Sequence, residues 1–585
     1  IEASMRRTRP SRARGHIFIG VVLAPCGREL LVAVIAIMNN PYSTRRGVGR
    51  TSNAATFLLI LASIIGIWLV AISSYLRKNP EIESKFTSDI LKEEQIIANK
   101  LSKGKLRAKE FLHHKKDDIS NIKLLHKKDD NYKKDESSNN NGRHKWELSA
   151  SEDLALRTTG PDDTPIHIVF STDCSPYQHW QSYALFLSAL KIRQPGRITR
   201  IASGCTEEEE LSIRKWHDDH IAILSSRFGL HLTPHFSSVK DESGKKVGDY
   251  EFFNKPFGLL HWMEHGEHMG VDPDTNQPFR HDTIIILLDP DQMLMRPITG
   301  TFQSSDTVFR GGPKDKGFNI DTERTYKDNE SSFVVRHGRP LSQEFGFGNS
   351  WQQFAEVAGK ESPATKVTPT EARRSYAVGP PYIATALDMH AIAQKWVEFV
   401  PLVHSLFPEL MAEMYAFSIA SAHLELPHQL VGSLMISDTN TDGGEGWKWI
   451  DALPADNICD FALNKMGDDM SHTTLPSVLH FCQRYGVGDK AFFAKKKLPN
   501  DFFSCESPLI EEPSMDIGSG KYLYRKPPFL DTIVKYSATQ EKREAFAICS
   551  MTGFLNQAAL FFKRKHCDGI KINVRKEISM HDLPE

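Results

Sequence analysis

Cysteine is scarce in this chain: eight in 585 residues, too few for the fold to rest on a disulfide scaffold. Excess charge of either sign is lacking too. Lys and Arg number 72 against 73 Asp and Glu, a formal net charge of −1. That excludes a polybasic protein and leaves no nucleic-acid partner to expect. Glycine and proline stand at ordinary levels, 37 and 31, which excludes a collagen-like or low-complexity chain. With 40% hydrophobic and 25% charged residues, the composition is that of a globular protein of roughly two to four domains.

Charge is also missing locally. No residue from Ala54 to Leu76 is charged, and a spanning helix needs about 20 apolar positions. The run outlasts the apolar core of a signal peptide, about 7–15 residues, so the sequence predicts a retained transmembrane anchor over 54–76. Arg45, Arg46 and Arg50 precede it and Arg77 and Lys78 follow, with further arginines upstream. The positive-inside rule then places residues 1–53 in the cytosol and residues 77–585 in a lumen, as in a type II single-pass protein. The chain begins at Ile1, and Met5 and Met38 are alternative starts. The earlier apolar stretch, Ile17 to Met38, is broken by Arg28 and Glu29 into halves too short to span. Residues 77–160 read as a flexible, charge-mixed stem. A Leu-His-His-Lys-Lys-Asp-Asp run at 112–118 is echoed at 124–130. His113, His114 and His126 are there read as part of a solvated spacer rather than as a metal cluster, because no apolar periodicity accompanies them.

From Pro165 onward the pattern alternates. Residues 166–170, 197–203, 229–236 and 283–288 read as strands. Residues 180–192, the stretch opening at Glu207, and the stretch opening at Pro256 read as helices. Alternation of this kind predicts an α/β domain, a mostly parallel sheet with helices on its faces. Ligands of such sheets bind beyond the carboxyl ends of the strands, so the residues that follow each strand matter most. Ser171 and Thr172 follow the first. Asp289-Pro290-Asp291 follows the apolar run Thr283–Leu288. Two carboxylates at i and i+2 past a buried strand can share a hard divalent cation, Mn²⁺ or Mg²⁺, that still has room for diphosphate oxygens. The same tripeptide recurs at Asp272-Pro273-Asp274. There it sits among polar turn residues and is read as a turn.

Several runs, in order, resemble the hydroxyproline O-arabinosyltransferase and peptidyl-serine α-galactosyltransferase family of plants and algae. They are IHIVFSTDCSPYQHWQSYALFLSALK (166–191), ITRIASG (198–204), NKPFGLLHWMEH (254–265), IIILLDPDQMLMRPI (284–298), GRPLSQEFGFGNSW (338–351), YAVGPPYIA (376–384), EMYAFSIASA (413–422) and VLHFCQRY (478–485). The resemblance spans about residues 165–510. It implies a GT-A-type, Rossmann-like fold over 161–510, a divalent metal, a UDP-sugar donor and a Golgi or ER type II anchor. The implied acceptor is a secretory-pathway protein or peptide bearing hydroxyproline or serine. Asp289 and Asp291 match the family's metal-binding pair. His480 resembles the late histidine that completes the metal site; otherwise it is a packed strand histidine. Ser171 and Thr172 fall where the base and ribose would sit. Lys255 would face the diphosphate or a sugar hydroxyl; otherwise it is a surface lysine. Gly379 and Pro380 fall in the segment lining the donor sugar, or in a rigid turn. Glu413 is the implied acid near the anomeric carbon. Retention of anomeric configuration is implied, by a covalent nucleophile or by same-face displacement. The segment 480–505 departs from the plant arabinosyl pattern, which leaves arabinofuranose and galactose both open as the sugar.

Two other classes compete. A haloacid-dehalogenase-type phosphatase also ends an apolar strand in Asp-x-Asp, but Met293 stands where Thr or Val is expected, and the motif comes late in the domain. A non-catalytic nucleotide-sugar or carbohydrate-binding Golgi protein would bind UDP without transfer. Seven cysteines follow the apolar run; Cys482–Cys505 and Cys549–Cys567 are plausible pairs, and one cysteine must remain unpaired within the chain. Asn329-Glu330-Ser331 is an N-glycosylation acceptor in the polar insert 300–375. Within 511–585, residues 548–567 predict a helix packed on the domain.

Overall fold

The computed structural model describes residues 18–26 and 29–37 and, between 146 and 583, all but 157–163, 241–243, 304–331, 442–443, 456–457, 466–474, 527–532, 568–576 and 582. The expected anchor at 54–76, His113, His114, His126 and Asn329 lie outside the described residues. The chain divides into two compact units, residues 1–134 and 135–585. In the first, the apolar halves on either side of Arg28 form antiparallel strands, Phe18–Cys26 and Glu29–Ile37, with Cys26 opposite Glu29.

The second unit holds the alternating elements in the order the sequence predicts: β1 (Ile166–Asp173), α1 (Tyr177–Lys191), β2 (Arg197–Ser203), α2 (Glu207–His217), β3 (Phe228–Thr233), α3 (Asn254–His265) and β4 (Ile284–Leu288). Thr206 caps α2, accepting from the Glu209 amide while the Glu209 carboxylate accepts from the Thr206 amide. This reciprocal cap stands beside four acids in the first turn, each favoured by the helix dipole. After β4 come β5 (Gln292–Leu294), β6 (Leu341–Glu344), β7 (Val378–Thr385), α4 (Ala386–Leu406), α5 (Ala412–His423), β8 (Gln429–Val431), β9 (Met435–Ile436), β10 (Val478–His480), β11 (Arg484–Val487), β12 (Ala491–Ala494) and α6 (Ala538–His566).

The central sheet has seven strands in the order β8-β6-β7-β4-β1-β2-β3. β4, β1, β2 and β3 run parallel, as do β6 and β8, whereas β7 is antiparallel to both neighbours. The sheet is therefore mostly parallel, with helices on both faces. All five β4 residues are buried, as a central strand covered on both sides requires. Alternate residues feed two cores. Ile284, Ile286 and Leu288 pack on the face with α1 and α6; Ile285 and Leu287 pack on the face with α3, α4 and α5. Chain order makes β1/β4 a switch point: β1 leads outward through β2 to β3, and the chain then returns to place β4 on β1's other side. A crevice opens at such a point beyond the strand ends.

Three sequence expectations are corrected here. The spacer expected through residue 160 already contains ordered structure: Trp146 is buried against Phe554 and Phe561. A short helix, Ala150–Ala155, also carries Asp153, which accepts from Arg227 Nε at 3.0 Å. These partners lie far along the chain and leave no local pattern. The C-terminal helix begins ten residues earlier than read, at Ala538. It is long and apolar enough to cross a membrane, yet its apolar stretch is mostly buried within the protein. The disulfides are Cys174–Cys205, Cys459–Cys549 and Cys505–Cys567, with Cys482 exposed and free. Cys174 and Cys205 meet because they follow the ends of adjacent strands β1 and β2; Cys567, just beyond α6, reaches Cys505 instead of Cys549.

Candidate active site

Asp289 leaves β4 at the switch point and Pro290 turns the chain, so that β5 starts one residue after Asp291. β5 does not join the large sheet. It pairs antiparallel with β10, with Gln292 opposite His480. That register brings a residue nearly two hundred positions away to the two aspartates. His480 Nε2 lies 3.2 Å from Asp291 Oδ1 and 3.9 Å from Asp289 Oδ2. Each of the three residues offers one ligand atom, and these atoms lie within 4.8 Å of one another. The turn is braced from inside: the Gln292 amide oxygen accepts from the Asp289 backbone N–H at 3.1 Å, and its Nε2 donates to the Pro380 carbonyl at 3.4 Å. The Phe481 amide donates to the Asp291 carbonyl at 3.1 Å. Tyr485 donates from its hydroxyl to the His480 carbonyl at 3.1 Å.

Two lysines balance the carboxylates. Lys255, in the first turn of α3, places Nζ 2.7 Å from Asp289 Oδ1 and 3.4 Å from Glu413 Oε2. Lys495 Nζ is hydrogen-bonded to Asp291 Oδ2. Lys495 was not singled out from the sequence, where it opens an unremarkable run of three lysines. The hairpin β11–β12 carries it back to the site. Glu413 lies in the first turn of α5, buried, with its amide donating to the Tyr250 hydroxyl at 3.3 Å and its carbonyl accepting from Trp396 Nε1 at 2.9 Å. Its Oε1 is buried without a hydrogen-bond partner among the described residues.

The electrostatics follow from burial and proximity. Burial pushes the Glu413 carboxyl up to about 7; Lys255 opposes the rise and Asp289 adds to it. Burial works against charge on Lys255, but Asp289 and Glu413 outweigh it and hold the ammonium above its usual range. Burial disfavours the Asp291 carboxylate, yet His480 and Lys495 outweigh that and hold it far below the usual carboxylate range. Burial opposes charge on the His480 ring, and Cys482 and Asp291 together overcome it. The cluster thus keeps opposite charges paired and largely buried, where breaking a pair is costly. Two carboxylates and one imidazole, converging with their counter-charges supplied by two lysines, fit Mn²⁺ or Mg²⁺ with coordination positions to spare.

The other expected residues take different places. Ser171 lies at the end of β1, its hydroxyl on the α3 side near Gly258. Thr172 points to the opposite face, as alternation requires. It is buried, its hydroxyl accepting from Arg200 Nε at 2.9 Å and reaching the Ile201 carbonyl at 3.3 Å. Its hydroxyl braces the strand ends. Gly379 and Pro380 lie inside β7 and not in a turn. A Cβ on Gly379 would stand 2.0 Å from Phe345 Cδ2, so glycine is what lets the Phe345 ring lie against the strand. Asp272 is a turn residue: its Oδ1 accepts from the amides of Asp274 at 2.8 Å and Thr275 at 3.3 Å. A cavity of about 550 Å³ adjoins the cluster, lined by His480, Cys482, Phe345, Met435, Asp438 and Glu445 among others.

Comparison with known proteins bears on this geometry. No family model matches the chain. The chain is 33% identical over 134 residues to a peptidyl serine alpha-galactosyltransferase of Arabidopsis thaliana, covering 23% of this chain and 14% of that protein. It is 28% identical over 176 residues to a peptidyl serine alpha-galactosyltransferase of Chlamydomonas reinhardtii, covering 30% of this chain and 19% of that protein. The matched region is thus less than a fifth of either relative. Among solved structures, the galactosyltransferase LgtC with donor and acceptor sugar analogs overlaps 54% of this chain and 87% of its own, at 12% identity and a TM-score of 0.28. The bifunctional glycosyltransferase WbbM overlaps 56% of this chain and 47% of its own, at 9% identity and a TM-score of 0.26.

Proposed function

We propose that the chain is a metal-dependent glycosyltransferase of GT-A type that moves a sugar from a UDP-sugar to a hydroxyl side chain of a secretory-pathway protein. The observation that carries this reading is the convergence of Asp289, Asp291 and His480 at the switch point, with Lys255 bridging Asp289 to Glu413. The names of the two relatives support serine as acceptor and galactose as sugar; hydroxyproline and arabinofuranose are the other pair to be tested. Asp289, Asp291 and His480 would hold Mn²⁺ or Mg²⁺, and that cation would supply charge neutralisation for the leaving diphosphate.

The remaining chemistry falls to the chain's own groups. Lys495, paired with Asp291, would offer its ammonium to a phosphate oxygen of the donor. Lys255 keeps Asp289 and Glu413 apart in charge and offers its ammonium to the donor. Ser171, Gly379 and Pro380 would contact the donor in this reading. Glu413 is the acid that would steady positive charge on the anomeric carbon as its bond to the diphosphate breaks. Its ionised form does this; burial and Asp289 disfavour that form, and Lys255 favours it. An α-linked product from an α-linked donor requires retention. The cavity beside His480 is where the acceptor hydroxyl would approach. A lumenal, type II placement in the Golgi or ER accords with the three disulfides, which need an oxidising compartment.

The test is UDP release by the full chain with Mn²⁺, a panel of UDP-sugars, and serine- or hydroxyproline-containing peptides. Peptide-dependent turnover of UDP-galactose or UDP-arabinofuranose is expected, lost in Asp291→Asn. Binding of UDP by a folded chain with no transfer to any peptide would overturn the catalytic reading.

A further inference from the structure

Away from the crevice, on the outer side of α3, three histidines gather. His231 lies on β3, the edge strand of the sheet. Its neighbours Leu230 and Leu232 pack beside Ile213 of α2, so alternation turns His231 to the α3 face. His261 and His265 stand four residues apart on α3, one turn above the other. His231 Nε2 and His261 Nδ1 are 2.9 Å apart, and the His261 and His265 rings are 4.7 Å apart, edge to face. His231 and His261 are half-buried and His265 is exposed. We propose that His231, His261 and His265 form a second metal site, for a borderline cation such as Zn²⁺, that ties α3 to the edge strand.

The chemistry fits at each position. Imidazole nitrogens bind Zn²⁺ at about 2.0–2.1 Å, which puts tetrahedral ligands about 3.3 Å from one another. The His231–His261 nitrogens already stand near that spacing. Their hydrogen bond shares one proton, which moves to the far nitrogen of its own ring when both lone pairs turn to the metal. Two histidines at i and i+4 on one helix face are a recurrent zinc-binding pair. The trio is not preassembled as the Asp289 cluster is; the exposed His265 turns in about its side-chain bonds to complete it. Burial, then the neighbouring rings, push His231 down to about 4, and burial and His265 lower His261. Both rings are therefore neutral at neutral pH, the form that ligates. Arg214 is the cation facing His231 and Glu264 the carboxylate facing His261. Water would complete the coordination.

The experiment uses the full chain carrying Asp291→Asn, which disables the crevice cluster, titrated with Co²⁺ as a spectroscopic stand-in for Zn²⁺. One equivalent should bind with the visible absorption of a tetrahedral nitrogen-ligated ion, and Zn²⁺ should displace it. Adding His265→Ala, an exposed change that leaves the fold alone, should weaken binding at least tenfold. Adding His261→Ala should abolish it. Absence of the band, or a band that neither histidine change alters, would overturn the proposal.

Discussion

Replacing Asp291 by asparagine separates the metal reading from a purely structural one. If Asp289, Asp291 and His480 hold a cation, the metal stabilises the folded chain by mass action. At a free concentration of a hundred times Kd that amounts to about 2.7 kcal/mol. The unit that unfolds, residues 135–585, has roughly 450 residues. At about 2.1 cal/mol/K per residue its unfolding entropy is near 0.95 kcal/mol/K, so saturating Mn²⁺ should raise Tm by about 3 °C. Asp291→Asn should remove that increment. It also has a cost without metal, since His480 and Lys495 lose their counter-charge. Breaking a buried pair costs about 3–5 kcal/mol, here an upper bound because the Lys495 side chain is 23% exposed and can turn to water. The control is Asp274→Asn in the twin tripeptide, where the Asp272 carboxylate accepts amide hydrogens instead of meeting a second acid. Differential scanning fluorimetry with and without Mn²⁺ reads all three proteins. A Tm shift of equal size in wild type and Asp291→Asn would refute the reasoning, as would its loss in Asp274→Asn.

Other parts of the structure make comparable demands. Burial pushes Glu544 up to about 7 from 4.5. A carboxyl whose pKa is raised on folding stabilises the fold below its unfolded pKa and loses that contribution as pH rises through the folded one. Stability should therefore fall by about 3 kcal/mol between pH 4.5 and 7 on this account, and Glu544→Gln should flatten that part of a urea-denaturation profile. Gly379→Ala drives a methyl into Phe345 and should cost about 1–3 kcal/mol or more, seen as a lower denaturation midpoint with m unchanged. Replacing Cys505 and Cys567 together by serine opens a loop of 62 residues and should cost about 4 kcal/mol by the chain-entropy relation, measured against the same protein under non-reducing conditions.

Much of the α/β unit was legible because local chemistry and global fold agree there. Residues 166–170, 197–203 and 283–288 are short apolar or alternating runs bounded by turn residues, and each is a strand of the central sheet. The two Asp-Pro-Asp tripeptides could be told apart by context alone: one follows five buried β4 residues, the other sits in a small hairpin whose strands are two residues each. These judgements need only periodicity and the chain's immediate neighbours. The partner of Thr172 was not legible, because a hydroxyl at a strand end gives no sign of which face holds a partner, and Arg200 lies on the next strand.

What tertiary structure alone decided are the meetings between distant residues. Lys495 reaches Asp291 through a hairpin more than two hundred residues later. His480 reaches the same carboxylate only because Gln292 pairs with it in a small sheet apart from the main one. The disulfide partners, the burial of Trp146 on α6, and the three histidines across β3 and α3 are of the same kind. The sequence by itself determined the strands, the helices and the aspartates at a strand end, since those follow from the residues within a turn or two. The company each side chain keeps depends on strand order and register, which are set by the packing of the whole core rather than by any one segment.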